Sequence, residues 1–116
     1  MTTVNNLPVY KESYDLLLGF FQVAKQFNRE YKFTLGEQVK EEIIALVLDV
    51  YRANSVRTDR LKHIQSARER VEVIRLLLRL LRDLRQLPLD KFVVLNTRLE
   101  SISRQLTGWS QASQVA

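Results

Sequence analysis

Hydrophobic and polar residues alternate at helical spacing in four stretches of the chain, separated by three breaks. The first stretch opens at about Pro8, a residue suited to a first helical turn. It carries apolar residues at Tyr10, Tyr14, Leu17, Leu18, Phe21 and Ala24, with a second row at Leu16, Phe20, Val23 and Phe27. This spacing predicts a helix over 8–29. Thr34-Leu35-Gly36-Glu37 has the form of a capping box, in which the Thr hydroxyl and the Glu carboxylate each satisfy an orphaned backbone N–H. It opens a second helix over 34–54, with a core row of Val39, Ile43, Leu46 and Val50, ending at Asn54-Ser55. Thr58 or Asp59 caps a third helix over 59–87, stopped by Pro88, and a second match at Ser66 to Glu69 leaves a later start open. The fourth helix, over 90–109, has the cleanest repeat: Phe92, Leu95, Leu99, Ile102, Leu106 and Trp109. Residues 1–7 read as a tail, and 111–116, lacking any apolar pattern, as a frayed one. Helices of this length joined by short connections lie antiparallel, so the expected fold is an all-α, up-down-up-down four-helix bundle filling 8–110.

A length of 116 residues gives one hydrophobic core, and 46% hydrophobic with 27% charged residues is the composition of a folded protein. Three Gly and two Pro are too few for the turns of a sandwich or barrel. The absence of cysteine excludes disulfides, thiolate zinc and iron–sulfur ligation, and cysteine nucleophiles. With His63 as the single histidine, the reagents of most enzymes are missing: no catalytic residues, metal or cofactor are expected. The carboxylate di-iron bundles need Glu-x-x-His pairs, and Arg60 stands three residues before His63. No basic segment followed by an apolar stretch opens the chain, and its apolar runs are short or broken by Arg75, Arg79 and Arg82. The reading is a cytoplasmic protein with no membrane partner.

The net charge of +5 is concentrated, with nine Lys/Arg against four Asp/Glu in residues 57–88. On a helical wheel Arg68, Glu72, Arg75, Arg79, Arg82 and Gln86 fall within about 40° of one line. The remainder of that wheel is apolar over roughly 220°, about twice what one bundle hides. The first helix has the same surplus, which marks an interface with a second copy or a tight partner. A solvated face held by i,i+4 pairs, with Glu72 among the arginines, explains the stripe about as well as a binding surface does. Its composition favours the surface: Arg75, Arg79, Arg82 and Arg85 are all Arg, whose planar fork grips phosphate or carboxylate. Arg68, Arg75, Arg79 and Arg82 are therefore the candidate binding residues for nucleic acid or an acidic protein.

Four segments carry a family resemblance: Leu7-Pro8-Val9-Tyr10-Lys11; Phe27-Asn28-Arg29-Glu30-Tyr31-Lys32-Phe33-Thr34-Leu35-Gly36; Arg75-Leu76-Leu77-Leu78-Arg79-Leu80-Leu81-Arg82-Asp83-Leu84; and Leu106-Thr107-Gly108-Trp109. Together they resemble the accessory variability determinant (Avd) family of diversity-generating retroelements, over about residues 7–109. That family lies within a wider bacterial four-helix-bundle group that includes proteins encoded by ribosomal RNA intervening sequences. The resemblance implies a non-catalytic pentameric barrel that binds the retroelement reverse transcriptase and its template RNA or RNA/DNA hybrid, and is required for mutagenic retrohoming. The family's paired third-helix arginines match Arg75 and Arg79. The chain departs from the family at Asn28, where Pro is usual, and at Thr107, where a second Gly is usual, both turn or terminus positions. The alternative function is a structural or protein-interaction module of the intervening-sequence group.

The remaining polar and aromatic features have plain readings. His63 has no partner cluster in the sequence and reads as structural or surface. Trp109 continues the fourth apolar row and reads as packing at the bundle end ahead of base stacking. Glu37, Glu41, Glu42 and Asp49 make the second helix acidic, as a solvated face or a counterpart to the basic third helix.

Overall fold

The computed structural model describes residues 3–115, which contain helices and no strands. A 3-10 turn at Val4–Asn6 leads into α1 (Pro8–Ala24); α2 (Arg29–Lys32) is a single turn; α3 (Leu35–Ser55), α4 (Arg60–Asp83) and α5 (Leu89–Val115) complete the chain. The four long helices form a square in which α1 and α4 occupy opposite corners, each packed on α3 and α5. The rod measures 46 × 21 × 20 Å.

One row from each long helix fills the centre. Leu16 and Phe20 of α1, Ile43 and Leu46 of α3, Ile74, Leu78 and Leu81 of α4, and Leu95, Leu99, Ile102 and Leu106 of α5 are all buried. On α1 the buried row is Leu16, Phe20 and Ala24, whereas Tyr14, Leu18 and Phe21 face outward, 42–48% exposed. Ser13 is buried inside this row without penalty, because its hydroxyl donates to the Val9 carbonyl at 2.7 Å.

Helix ends differ from the sequence expectation, and specific hydrogen bonds, local and tertiary, explain the differences. The first helix stops at Ala24 instead of 29: Gln26 and Phe27 donate to Val23 and Ala24 in tightened i→i−3 bonds, which swing Phe27 into the core, edge-on to Phe20 at 5.8 Å. The Asn28 N–H then finds the Gln86 side-chain oxygen at 2.7 Å, closing the top of the bundle. The Thr34 capping box does not form. Thr34 donates its hydroxyl to the Glu30 carbonyl at 2.6 Å, and Glu37 pairs with Lys40 at 2.9 Å. Gly36 is required by closeness, since a Cβ there would stand 3.2 Å from the Tyr31 carbonyl oxygen and 3.5 Å from the Phe27 ring.

Asp59 makes no side-chain cap at the start of α4; Arg60 instead donates Nε to the Ala53 carbonyl at 2.8 Å, joining the two helices across their turn. Ser66 lies inside α4 and donates to Asp49, so the later start is not used. α4 ends at Asp83, before Pro88 acts, because Gln86 N–H returns to Leu81 and Arg85 N–H to Arg82. That motif needs a left-handed residue, and Arg85 supplies it at φ 62°. The expected frayed tail is helical through Val115: Ser110 is buried and accepts a 3.3 Å bond from Gln65, and no Gly or Pro follows Gly108. Residues 1, 2 and 116, also assigned to tails, lie outside the described residues.

A side chain at a left-handed C′ position costs about 1 kcal/mol relative to Gly. Arg85→Gly is therefore expected to raise stability by about 0.5–1 kcal/mol, read as an upward shift of a few degrees in the thermal midpoint. An unchanged or lower midpoint would show that Arg85 makes a compensating interaction.

Candidate nucleic-acid and partner interface

Of the residues on the α4 stripe, each of the four arginines has a different environment. Arg75 is held as a fork: Nε and Nη2 donate to the two carboxylate oxygens of Glu100 at 2.8 and 2.9 Å, and Nη1 donates to Glu72. The hydrogen bonds to Glu100, then those to Glu72, hold the guanidinium above its usual range; Arg75 in turn holds the Glu100 carboxyl below its own. Arg75 therefore ties α4 to α5. Arg68, half-buried, donates to the amide oxygen of Gln65 at 3.3 Å.

Arg79 and Arg82 are the outward pair. Arg79 has 71% of its side chain exposed and lies a loose 3.9 Å from Asp83. Arg82 stacks its guanidinium 4.8 Å from the Phe92 ring centre and reaches Asp83 at 3.5 Å. With Leu76 and Asn96 they line an open groove of about 460 Å³ between α4 and α5. Gln86, aligned with the stripe by helical arithmetic, lies beyond the end of α4, buried against Asn28.

The periodicity gave no signal for two further ties. Arg70 reaches Glu42 at 3.3 Å and Asp49 at 3.7 Å, and Ser66 donates to Asp49 at 2.8 Å, which pins α4 to α3 and gives the acidic face its partner. Arg98 of α5 approaches Glu12 and Asp15 of α1 at 3.8 and 3.7 Å. Opposite charges at helix positions facing one another across a seam are the sequence signal, readable once the helix order is known. The α1–α3 seam carries no such tie among the described residues; Lys40 instead lies over the Phe21 ring at 4.5 Å.

Among the described residues, no group of three or more His, Asp or Glu is placed to hold a metal, and no helix is long and apolar enough to cross a membrane. Fold and surface together define a basic antiparallel four-helix bundle that presents arginines on a rigid frame. The family model described as bAvd-like matches residues 8–113, and the chain belongs to that family. No curated protein and no solved structure matches it.

The Arg75–Glu100 pair carries a pH signature. A carboxylate held below its ordinary value near 4.5 contributes stability that is present above that value and is lost as pH falls through the lowered one. Glu100→Gln is expected to cost about 1 kcal/mol or less at pH 7, since both groups are partly solvated. The gap to wild type should close on acidification below about pH 4.5, measured by urea midpoints across pH 3–7. A gap independent of pH would mean that the pair is not what Glu100 contributes.

Proposed function

We propose that this chain is the non-catalytic accessory protein of a diversity-generating retroelement, docking its reverse transcriptase and template RNA or RNA/DNA hybrid to support mutagenic retrohoming in the cytoplasm. The observation that carries this reading is the bAvd-like match across residues 8–113. The arginine face of α4 is the docking surface, with Arg79 and Arg82 as the contacting forks and Arg68 and Arg75 fixing the local charge and the helix seam. Arg79 and Arg82 suit this because their carboxylate partner, Asp83, is loosely held and more than half exposed, so an incoming phosphate or carboxylate displaces little.

The chain acts as a homopentameric ring. Two apolar surfaces support that assembly: Tyr14, Leu18 and Phe21 of α1 with Ile44, Leu48 and Tyr51 of α3, and, away from that seam, Val73, Leu76 and Leu80 on the outside of α4. A surface that packs against a different surface of the next copy generates a ring when the rotation closes.

The docking reading is tested by co-elution of this protein with the reverse transcriptase encoded beside it, with and without RNA. The wild type should co-elute and Arg79→Glu/Arg82→Glu should not, with circular dichroism unchanged. Equal co-elution by the variant would remove the stripe as the docking surface, and no complex with the wild type would remove the retroelement role.

The ring is tested separately. Light scattering of the wild type should give five chains of 13.6 kDa each. Leu18→Glu/Leu48→Glu, at positions already near half-exposed, should give a folded monomer. A monomeric wild type would overturn the ring.

A further inference from the structure

At the end of the rod opposite Arg85, the turn between α3 and α4 faces the last turns of α5 across a hollow of about 570 Å³. That volume is in the range of small-ligand sites, roughly 300–1,000 Å³. Arg57, Thr58, Arg60 and Leu61 line it from the turn and the start of α4, and Trp109, Ala112 and Ser113 line it from α5. Among the described residues, no carboxylate lines it.

We infer that this hollow holds one nucleotide of a single-stranded nucleic acid, its base against Trp109 and its phosphate on Arg57 and Arg60. The choice of occupant rests on the RNA-binding reading above.

Charge compensation separates this site from the α4 stripe. Arg75, Arg79 and Arg82 each have a carboxylate within 4.0 Å, so a phosphate arriving there competes with an existing partner. Arg57 and Arg60 have none among the described residues. Arg57 is exposed, with no side-chain hydrogen bond among the described residues, while the Nε bond from Arg60 to Ala53 fixes that guanidinium and leaves its two terminal nitrogens for a ligand. Two uncompensated guanidiniums beside each other call for an anion, and a planar fork is suited to phosphate oxygens.

The aromatic wall narrows the anion further. Trp109 packs on the core yet remains partly exposed, so its ring is held in place by the protein before any ligand arrives. A base stacked on such a ring is worth roughly ten- to a hundredfold in affinity, and every base has a face to offer. A base within a duplex has its faces covered by its neighbours, so the strand must be single. A carboxylate from a protein partner would satisfy the arginines but make no use of the exposed part of the indole.

Trp109 is the only tryptophan in the chain, so its fluorescence reports the surroundings of this one indole; because it also borders a smaller pocket with Leu7, Pro8 and Gln105, Arg57→Glu is what ties the signal to the hollow. The assembled wild-type protein is titrated with a single-stranded oligouridylate of about eight nucleotides, within the range of known site sizes. Saturable quenching is expected, weakening at least tenfold between low and moderate salt. Arg57→Glu, a change at an exposed side chain, should reduce the affinity seen by fluorescence at least tenfold, while Lys25→Glu, an equal charge change at an exposed side chain after the end of α1, should keep the quench.

Three results would overturn the inference: RNA that binds by filter retention without changing the fluorescence and binds Arg57→Glu as well as wild type; an RNA duplex of the same length that quenches equally; or uridine monophosphate that quenches where the oligomer does not, which assigns the hollow to free nucleotides. The first leaves RNA binding elsewhere on the protein intact. Failure of the wild type to retain any RNA is the separate outcome that removes the RNA-binding reading itself.

Discussion

A helix in a four-helix bundle hides a stripe of little more than 100° of its surface, and this chain has apolar residues well beyond that stripe. α4 shows the constraint most plainly. Its inward side holds Ile74, Leu78 and Leu81, fully buried, while Leu76, on the outside, is 65% exposed. α1 repeats it with Leu16 and Phe20 inside and Tyr14, Leu18 and Phe21 outside. The outward rows are not scattered residues: spacings of three and four keep each row on one side of its helix. An apolar surface of this kind marks a place for a partner, and two such surfaces in different places are what the ring proposed above would cover, copy on copy.

Arginine does the complementary work on the seams. Arg70, Arg75 and Arg98 each bridge two helices, binding α4 to α3, α4 to α5 and α5 to α1. Each partly solvated bridge is worth little alone, about 1 kcal/mol or less. Their value lies in position, because a fork aligned on a carboxylate fixes the axial register of two helices whose leucines would tolerate sliding. The α1–α3 seam has the cation over Phe21 in place of a bridge, and it is along this seam that the exposed apolar residues gather. A charged tie there would have to be desolvated when a neighbour covered the surface, at a cost larger than its gain.

The four helices, their order and the α5 row were legible because they depend on local periodicity, and Leu95, Leu99, Ile102 and Leu106 are all buried as spaced. Helix ends were not, because distant residues make them. Asn28 is capped by Gln86, 58 positions away, and α4 is joined to α3 through Arg60 on a carbonyl, neither of which has a local motif. The Thr34 box failed for a different, local reason: its hydroxyl found the carbonyl of Glu30, four residues behind it, instead of an N–H ahead. A wheel places Arg75 and Arg79 on one face and treats them as equals. They differ because Glu100 lies 25 positions further on, at the height of Arg75 and not of Arg79.

That difference bears on how the docking face proposed above divides its charges. An arginine that holds a seam cannot release its carboxylate to a ligand without loosening the bundle, so the docking we propose falls to arginines whose partners are weak or missing. On the stripe these are Arg79 and Arg82, which share the exposed Asp83. Arg82 also lies 4.8 Å from the Phe92 ring centre, a contact that limits its freedom and so would reduce the entropy lost on the proposed binding. The locked arginines still contribute at a distance, since the basic balance of residues 57–88 sets the potential that draws an anion towards this helix. Rigid seams and loose outer arginines are thus two halves of one arrangement: the first fixes where the charges stand, and the second leaves them free to bind.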